Sequence, residues 1–384
     1  MLTYRTGIAG GQAAAAAMAD HLLQQTLPAS QLSMAAYYLG KAAETAEAIA
    51  LGMGSVPLVR DDISPELAKA LALQPGALVR PQELANILSG LSAEGGTLPG
   101  QQRDVRTYKD ANGTERYRIT YTDFTFSVPK AVSVAWMAAE TDAERNSIVL
   151  ACRTANDKLM RYIEREIGVA GFGHGHRAGQ ERGAMAWISV VHFTSRPTLA
   201  ITRPDPVTGV VDTELVDVMR DGLMPGDPQI HFHNVTPNLL HTDSGRFVSI
   251  NRELLAGRIH EFGAVGQAFL TAELEAIGIS TALDERTQLL TLPVIPEHVC
   301  REFSKRTEQA EEAARGIARE NGLEWDALDA DRKVALLKGR ALAGRQGKGD
   351  DLGDAIAWRR QIERLGWEHR TAVTKGKPAP QPAE

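Results

Sequence analysis

Residues 229–240, QIHFHNVTPNLL, combine the pattern of a β-strand with two histidines spaced two residues apart. The aromatic and β-branched residues of this stretch predict a strand. Residues i and i+2 of a strand point to the same face, so the imidazoles of His231 and His233 stand side by side, while Phe232 points into the opposite layer. Two adjacent imidazoles can share one metal ion, although an H-x-H pair also occurs by chance on solvated strand faces.

A third metal ligand is expected from a neighbouring strand. Residues 184–194, AMAWISVVHFT, form a second predicted strand, and His192 closes its apolar run. Three neutral imidazoles would make a divalent site with open positions, suited to Lewis-acid chemistry on a phosphate or a carbonyl. His174 and His176 have the same spacing, but they lie in the glycine-rich stretch 171–183, which predicts a surface turn.

Residues 117–126, YRITYTDFTF, predict another strand, which Asp123 interrupts with a carboxylate. That carboxylate could orient a metal-bound histidine through its second ring nitrogen, or accept a proton from a nucleophile. It could equally be a strand-edge aspartate bonded to a backbone amide. Lys130 follows near the start of a predicted helix, where anions are favoured.

The remaining elements indicate an α+β fold. Residues 142–167 predict an amphipathic helix, 252–278 a long helix and 287–294 a fifth strand. Strands scattered among helices without regular alternation predict an antiparallel or mixed central sheet with helices packed on it, plus a C-terminal helical segment. We expect a domain over 1–296, a helical covering segment over 297–372 and a disordered Pro/Ala-rich tail over 373–384.

Composition sets weaker bounds on function. The net charge of −6 argues mildly against nucleic acid. However, basic residues cluster in 332–348 and in 103–118, compatible with a DNA groove or with solvated surface. Cys152 and Cys300 have no metal-ligand spacing, and no segment has the character of a signal peptide or a membrane span. We therefore expect a cytoplasmic protein that does not insert into membranes.

Tyr37 and Tyr38 form an adjacent pair, in SMAAYYLG, within a predicted helix. Tyrosine serves as a nucleophile mostly where a phosphodiester must be held covalently and then released. By position alone, the pair is more typical of core aromatic residues.

Taken in order, these motifs resemble a known family. A tyrosine pair near the N-terminus precedes DFTFSVPKAVS (residues 123–133), a strand ending in histidine and then HFHNVTPN (residues 231–238). This arrangement is similar to the MobF-type relaxase domain of conjugative plasmids, in the HUH endonuclease superfamily. The resemblance extends over about residues 1–296.

The resemblance implies site- and strand-specific nicking and rejoining of single-stranded DNA, at the hairpin and nick site of a transfer origin, to initiate conjugation. His192, His231 and His233 would hold a divalent metal, Mg²⁺ or Mn²⁺ with Zn²⁺ or Ni²⁺ as alternatives. Tyr37, or else Tyr38, would attack the phosphate to give a 5′-phosphotyrosine, with Asp123 in support. The family also implies accessory relaxosome proteins and a coupling protein as partners. For DNA contacts, we predict Arg103, Arg106, Lys109, Lys130 and Arg196.

Three other functions remain open from the sequence. A rolling-circle replication initiator or transposase would share every site residue. A three-histidine metallohydrolase or oxygenase acting on a small molecule would need neither tyrosine. A DNA-binding module with a structural metal would usually have four protein ligands.

Overall fold

The computed structural model describes residues 1–8, 12–23, 57–100, 107–109, 113–172, 179–194, 198–199, 223–224, 227–285, 288–304 and 314–329, with scattered positions between 332 and 367. Within these residues, no helix is long and apolar enough to cross a membrane.

The centre of the fold is a five-stranded antiparallel sheet. Its strands, in spatial order, are β1 (Leu2–Ile8), β5 (Ile119–Ser127), β11 (Pro228–Pro237), β8 (Ile188–Thr194) and β2 (Leu58–Val59). The predicted histidine strand β11 is the middle strand, paired on both sides. Its alternation is confirmed, since Ile230 and Phe232 are buried while His231 and His233 are only partly covered.

The described residues also form a second antiparallel sheet and three two-stranded sheets. The four-stranded sheet has the order β13 (Phe247–Val248), β12 (Leu240–Thr242), β7 (Gly179–Met185) and β6 (Val169–Phe172). The two-stranded sheets pair β3 (Thr107–Lys109) with β4 (Glu115–Tyr117), β9 (Thr198–Leu199) with β10 (Leu223–Met224), and β14 (Ala282–Leu283) with β15 (Leu290–Thr291).

Helices cover both faces of the central sheet. They are α1 (Gln12–Leu23), α2 (Pro65–Leu71), α3 (Pro81–Leu88), α4 (Lys130–Ala138), α5 (Asp142–Ile167), α6 (Ile259–Ala276) and α7 (Glu297–Glu302), with 3₁₀ turns at Arg252–Leu255 and Trp325–Ala327. Helices α4, α5 and α6 share one core with Phe124, Phe126 and Phe232. Helices α1, α2 and α3 share the other core with Ile188 and Val235. The predicted α+β class with an antiparallel sheet is confirmed.

Helix α5 matches its sequence prediction at both ends. Thr141 caps its N-terminus, where the Thr141 hydroxyl accepts a hydrogen bond from the Glu144 amide. The apolar face predicted by the three- and four-residue spacing is completely buried: Ile148, Cys152, Ala155, Leu159 and Ile163. This face covers the side of the sheet opposite to the histidines.

Four predicted elements differ from the structure. The strand expected over 184–194 is divided between the end of β7 at Met185 and β8, which begins at Ile188 and belongs to the other sheet. The helix expected over 252–278 is interrupted, because Gly257 has a φ of +74° and separates the 3₁₀ turn from α6. The strand expected over 287–294 is limited to Leu290–Thr291. The stretch 171–183, expected as a turn, contains the end of β6 and the beginning of β7, and its residues 173–178, with His174 and His176, lie outside the described residues.

A pair of buried amides joins α5 to the middle strand. Asn156 and Asn234 are fully buried and exchange two hydrogen bonds of 2.9 Å. Asn234 also donates to the Phe124 carbonyl at 3.0 Å and accepts from the Ser189 hydroxyl at 2.6 Å. The side chain of Asn234 therefore ties together β5, β8, β11 and α5 directly behind the histidines.

Replacing Asn156 with alanine is expected to lower the free energy of unfolding by about 2 kcal/mol, because it removes two buried hydrogen bonds and leaves the Asn234 amide incompletely paired. Denaturant-induced unfolding measures the change. Lys158→Gln, on the exposed side of the same helix, is the matched control and should change stability by less than roughly 0.5 kcal/mol. Equal stability of Asn156→Ala and the wild type would contradict the assigned role of the amide pair.

Candidate metal centre

Three imidazoles meet on the face of the central sheet that carries α1. Strand pairing explains the meeting: His231 lies directly opposite His192 in the β11–β8 register, and His233 follows on the same face. The ring centroids are separated by 5.0 Å for His192–His231, 4.8 Å for His192–His233 and 5.2 Å for His231–His233. One ring nitrogen of each lies within 4.8 Å of the others, so the structure brings together all three predicted ligands.

Each ring is oriented by an oxygen at one of its nitrogens. His192 Nε2 lies 2.7 Å from the Leu22 carbonyl oxygen at the end of α1, and His231 Nδ1 lies 2.9 Å from the Gln229 carbonyl oxygen. His233 Nδ1 lies 2.8 Å from Asp123 Oδ2. A neutral imidazole that donates one N–H to such an oxygen carries its lone pair on the other nitrogen. The donor set therefore fits a divalent cation held by imidazole nitrogens.

Asp123 is the acidic residue that contacts the cluster, on the same face of the sheet. It is 2% exposed and lies on β5, two residues from Thr125, which pairs directly with His233. Its Oδ2 also lies 3.5 Å from the Thr125 hydroxyl, whereas Oδ1 is buried without a hydrogen-bond partner among the described residues. The carboxylate is thus placed to fix the tautomer of His233, and it retains one oxygen that can accept a further hydrogen bond.

Asp123→Asn is expected to weaken divalent-metal binding by about 10- to 100-fold, because an amide at this position no longer provides the charge-assisted acceptor that orients a histidine ligand. Metal titration followed by calorimetry measures the affinity. Asp243→Asn changes an exposed aspartate in the turn after β12 and serves as the control. Unchanged affinity in Asp123→Asn would show that Asp123 has no role in supporting the metal site.

Lys130 lies where the central sheet continues into α4. Its ammonium donates to the Pro228 carbonyl oxygen at 2.8 Å, and the nearby Ser133 hydroxyl accepts from the Ile230 amide at 2.9 Å. Both contacts fix the start of α4 against the strand that carries His231. The predicted contact of Lys130 with DNA remains a prediction.

The other predicted residues cannot be placed with the cluster. Outside the described residues lie Tyr37, Tyr38, Arg103, Arg106 and Arg196, together with the tail 373–384. Lys109 belongs to β3 by its backbone, and its side chain is not described.

Tyr121 is the described tyrosine nearest in sequence to Asp123, on the same strand face. Burial, together with the charge of Asp123, raises the pKa of its phenol to about 12. Its ring covers Gly7 on β1, where an added β-carbon would lie 1.9 Å from a ring atom. Tyr121 is therefore a packing residue whose phenolate form is disfavoured.

Several residues of the site have no distinctive sequence signal. The Leu22 carbonyl orients His192 without using a side chain, so no residue type could indicate it. Thr125 is indistinguishable from other strand threonines, yet its hydroxyl lies 3.4 Å from His233 Nδ1. Asn234 adjoins the H-x-H pair, and a buried polar residue at that position is the one signal that could have been noticed.

The fold and the site together define a class of metal-binding protein. In this class, a central antiparallel sheet presents three imidazoles, and a buried carboxylate contacts one of them. The model of one family, the TrwC relaxases, matches residues 16–365. The chain belongs to the TrwC relaxase family and is accordingly a DNA relaxase. The resemblance to MobF-type relaxases is confirmed, and the other enzyme classes are not favoured.

Solved structures with the same fold agree. A metal-bound structure of the conjugative relaxase TrwC in complex with oriT DNA is 18% identical, with a TM-score of 0.63 over 96% of this chain and 100% of that chain. A copper-bound TrwC–oriT structure gives 18% identity and a TM-score of 0.64 over the same shares. A metal-free TrwC–oriT structure is 19% identical, with a TM-score of 0.61 over 96% of this chain and 100% of that chain. Because the sequence identity is this low, the similarity to these structures establishes the shared fold alone. No match was found among curated proteins.

Proposed function

We propose that this chain nicks and rejoins one DNA strand at a plasmid transfer origin, initiating conjugative DNA transfer. The observation that carries the proposal is the cluster of His192, His231 and His233 with Asp123 behind it, in a chain of the relaxase family. The TrwC structures contain oriT DNA, which supports single-stranded origin DNA, its hairpin and its nick site, as the ligand here.

In the proposed reaction, the phenolic oxygen of Tyr37 attacks the scissile phosphorus after losing its proton. A phosphorus–oxygen bond forms to the tyrosine as the bond to the 3′ oxygen breaks, so the products are a 5′-phosphotyrosine and a 3′-hydroxyl. Attack of a 3′-hydroxyl on the phosphotyrosine reverses these steps and rejoins the strand. Tyr38 is the alternative nucleophile.

The three histidines are proposed to bind the metal, with Asp123 holding His233 in the required tautomer. When bound, a divalent cation in such a site supplies positive charge that offsets the negative charge developing on the phosphate oxygens. Mg²⁺ or Mn²⁺ suits phosphate chemistry, whereas imidazole ligands also suit Zn²⁺ or Ni²⁺.

The remaining parts of the proposal concern DNA contacts and organisation. Arg103, Arg106, Lys109, Lys130 and Arg196 are proposed to contact DNA, in a cytoplasmic complex with accessory relaxosome proteins and a coupling protein. We retain the division into a nickase domain over 1–296, a covering segment over 297–372 and a tail over 373–384. Support for a segment that closes over the first domain comes from Trp358, which is completely buried with its ring centroid 6.4 Å from that of Trp136.

The decisive experiment is a covalent-adduct assay. The full chain, Mn²⁺ or Mg²⁺ and single-stranded oligonucleotides covering the transfer origin of its own plasmid are incubated and separated on a denaturing gel. We expect a protein–DNA adduct that depends on the metal and is absent with a scrambled oligonucleotide. Failure to form any adduct with the genuine origin strand would refute the proposed function and favour a small-molecule metallohydrolase.

A further inference from the structure

A cavity of about 230 Å³ lies on the side of the central sheet opposite to the histidines, between β2, β8 and α5. Strand alternation explains its separation from the metal centre. Ser189, Val191 and Phe232 line the cavity, and each is an odd number of residues from the histidine on its own strand. A ligand in this cavity would therefore not compete with DNA at the three imidazoles.

The cavity is lined by both apolar and charged side chains. Among the apolar ones, Trp187, Val191 and Phe232 are each 1% exposed. A volume of 230 Å³ corresponds to about eight water molecules at roughly 30 Å³ each, so it suits a small molecule with an apolar body.

Of the three arginines that line the cavity, two make ion pairs with acidic residues. Arg60 donates to Asp62 at 2.7 Å, to Glu164 at 2.5 Å and to the Met185 carbonyl at 2.8 Å, and its guanidinium lies 3.8 Å from the Trp187 ring centroid. Arg161 pairs with Asp61 at 2.9 Å and with Asp62 at 3.0 Å. These two arginines and the acids around them hold the wall of the cavity in place.

Arg153, the third arginine, has no such partners. Among the described residues, its guanidinium makes no hydrogen bond or ion pair, and its Nε is buried without an acceptor. Burial lowers the pKa of this group, and Asp157 offsets that effect only in part. A buried guanidinium Nε without an acceptor is costly to the fold, and the guanidinium has the fork geometry that binds a carboxylate.

Asp157 is the acidic group beside Arg153. It lies one helical turn after Arg153 on α5 and also lines the cavity, and the structure describes no ion pair for it. Burial raises the pKa of its carboxyl to about 6, despite the opposing charges of Arg153 and Arg161. The same small space therefore contains one positive and one negative group, which attract each other across one helical turn, and neither makes a contact ion pair among the described residues.

We propose that this cavity binds a small zwitterion of the α-amino-acid type with an apolar side chain. Arg153 binds the ligand carboxylate, Asp157 binds the ammonium group, and the apolar body lies on Trp187 and Phe232. A simple anion would satisfy Arg153 but would bring its charge close to Asp157 and Asp61. A zwitterion gives each of the two groups a contact partner of opposite charge without adding net charge to the cavity.

Calorimetric titration of the full chain without DNA, with L-phenylalanine as the probe, tests the proposal. We expect binding in the millimolar range or tighter, and about tenfold weaker binding of each of three analogues. The analogues are 3-phenylpropionate, which lacks the ammonium, 2-phenylethylamine, which lacks the carboxylate, and glycine, which lacks the apolar body. Undetectable binding at about 10 mM would overturn the site. Equal affinity for 3-phenylpropionate would overturn the zwitterion in favour of a plain carboxylate.

Variants make the test specific to the two charges. Arg153→Gln and Asp157→Asn are each expected to weaken L-phenylalanine binding by about tenfold or more. Both should fold, since neither group has an ion pair to lose. Lys158→Gln, adjacent in sequence but 48% exposed and paired with Glu273, should bind normally. Unchanged affinity in Arg153→Gln would refute the assignment. Because no DNA is present, the result is independent of the adduct assay.

Discussion

Replacing His231 with alanine is expected to reduce metal-dependent strand cleavage by about 1,000-fold, because a bound metal contributes several kcal/mol of charge stabilisation during attack on a phosphate. His231 belongs to the middle strand and faces His192 across the β11–β8 pairing, with a centroid separation of 5.0 Å. Without it, two imidazoles remain, too few for the three-ligand site that the cluster can form.

Two measurements on the purified variant check this expectation. Single-turnover cleavage of an origin oligonucleotide gives the rate, and calorimetric titration gives the metal affinity. The cleavage rate and the metal affinity should both decrease in the variant. His260→Ala alters an exposed histidine on α6, far in sequence from the cluster, and should leave both values unchanged. Normal cleavage by His231→Ala after loss of metal binding would exclude the metal centre from the reaction. Normal cleavage with normal metal binding would exclude His231 as a required ligand.

The part of the site that sequence could predict depends on strand periodicity. The H-x-H spacing alone places His231 and His233 on one face, whatever the fold around them. The position of His192 opposite His231 depends on the register between two strands that lie far apart in the sequence, which no local pattern specifies. The sequence left three roles open for Asp123: orienting a histidine, accepting a proton from a nucleophile, or bonding a backbone amide at a strand edge. The contact of 2.8 Å with His233 is the geometry required for the first of these roles.

Glycines explain two of the differences between predicted and observed elements. The sequence around Gly257 has helical periodicity on both sides, yet the φ of +74° at this residue breaks the helix. Gly183 is the last residue of the glycine-rich stretch 171–183, for which the sequence predicts a turn. In the structure it lies in β7, where an added β-carbon would be 2.6 Å from the His241 carbonyl oxygen. Composition shows that these glycines are present, but only the tertiary fold shows whether each provides a turn or a close backbone approach.

The first strand was missed for a different reason. Leu2–Ile8 is an edge strand with mostly exposed side chains, so it lacks the alternation of apolar and polar residues that identifies a half-buried strand. Its place in the sheet comes from pairing with β5, from Leu2 opposite Phe126 to Ile8 opposite Ile119. This pairing is made by backbone hydrogen bonds, which do not require particular residue types.

The largest single effect is expected at the tyrosine pair. Tyr37→Phe should abolish the covalent adduct, because phenylalanine keeps the ring but has no oxygen to form the bond to phosphorus. Tyr38→Phe should retain the adduct. The denaturing gel of the adduct assay measures both, and binding of the uncleaved strand should be unchanged in each variant, since the substitution removes one hydroxyl.

The two variants serve as controls for each other, since they are adjacent in sequence and chemically identical changes. Loss of the adduct in Tyr38→Phe alone would reverse the assignment and make the second tyrosine the nucleophile. Retention in both single variants, with loss in the double variant, would mean that either phenol can attack. Retention in the double variant would exclude the pair. Tyr121 would then be a poor substitute, because burial and the Asp123 charge raise its pKa to about 12, which keeps its oxygen protonated at neutral pH.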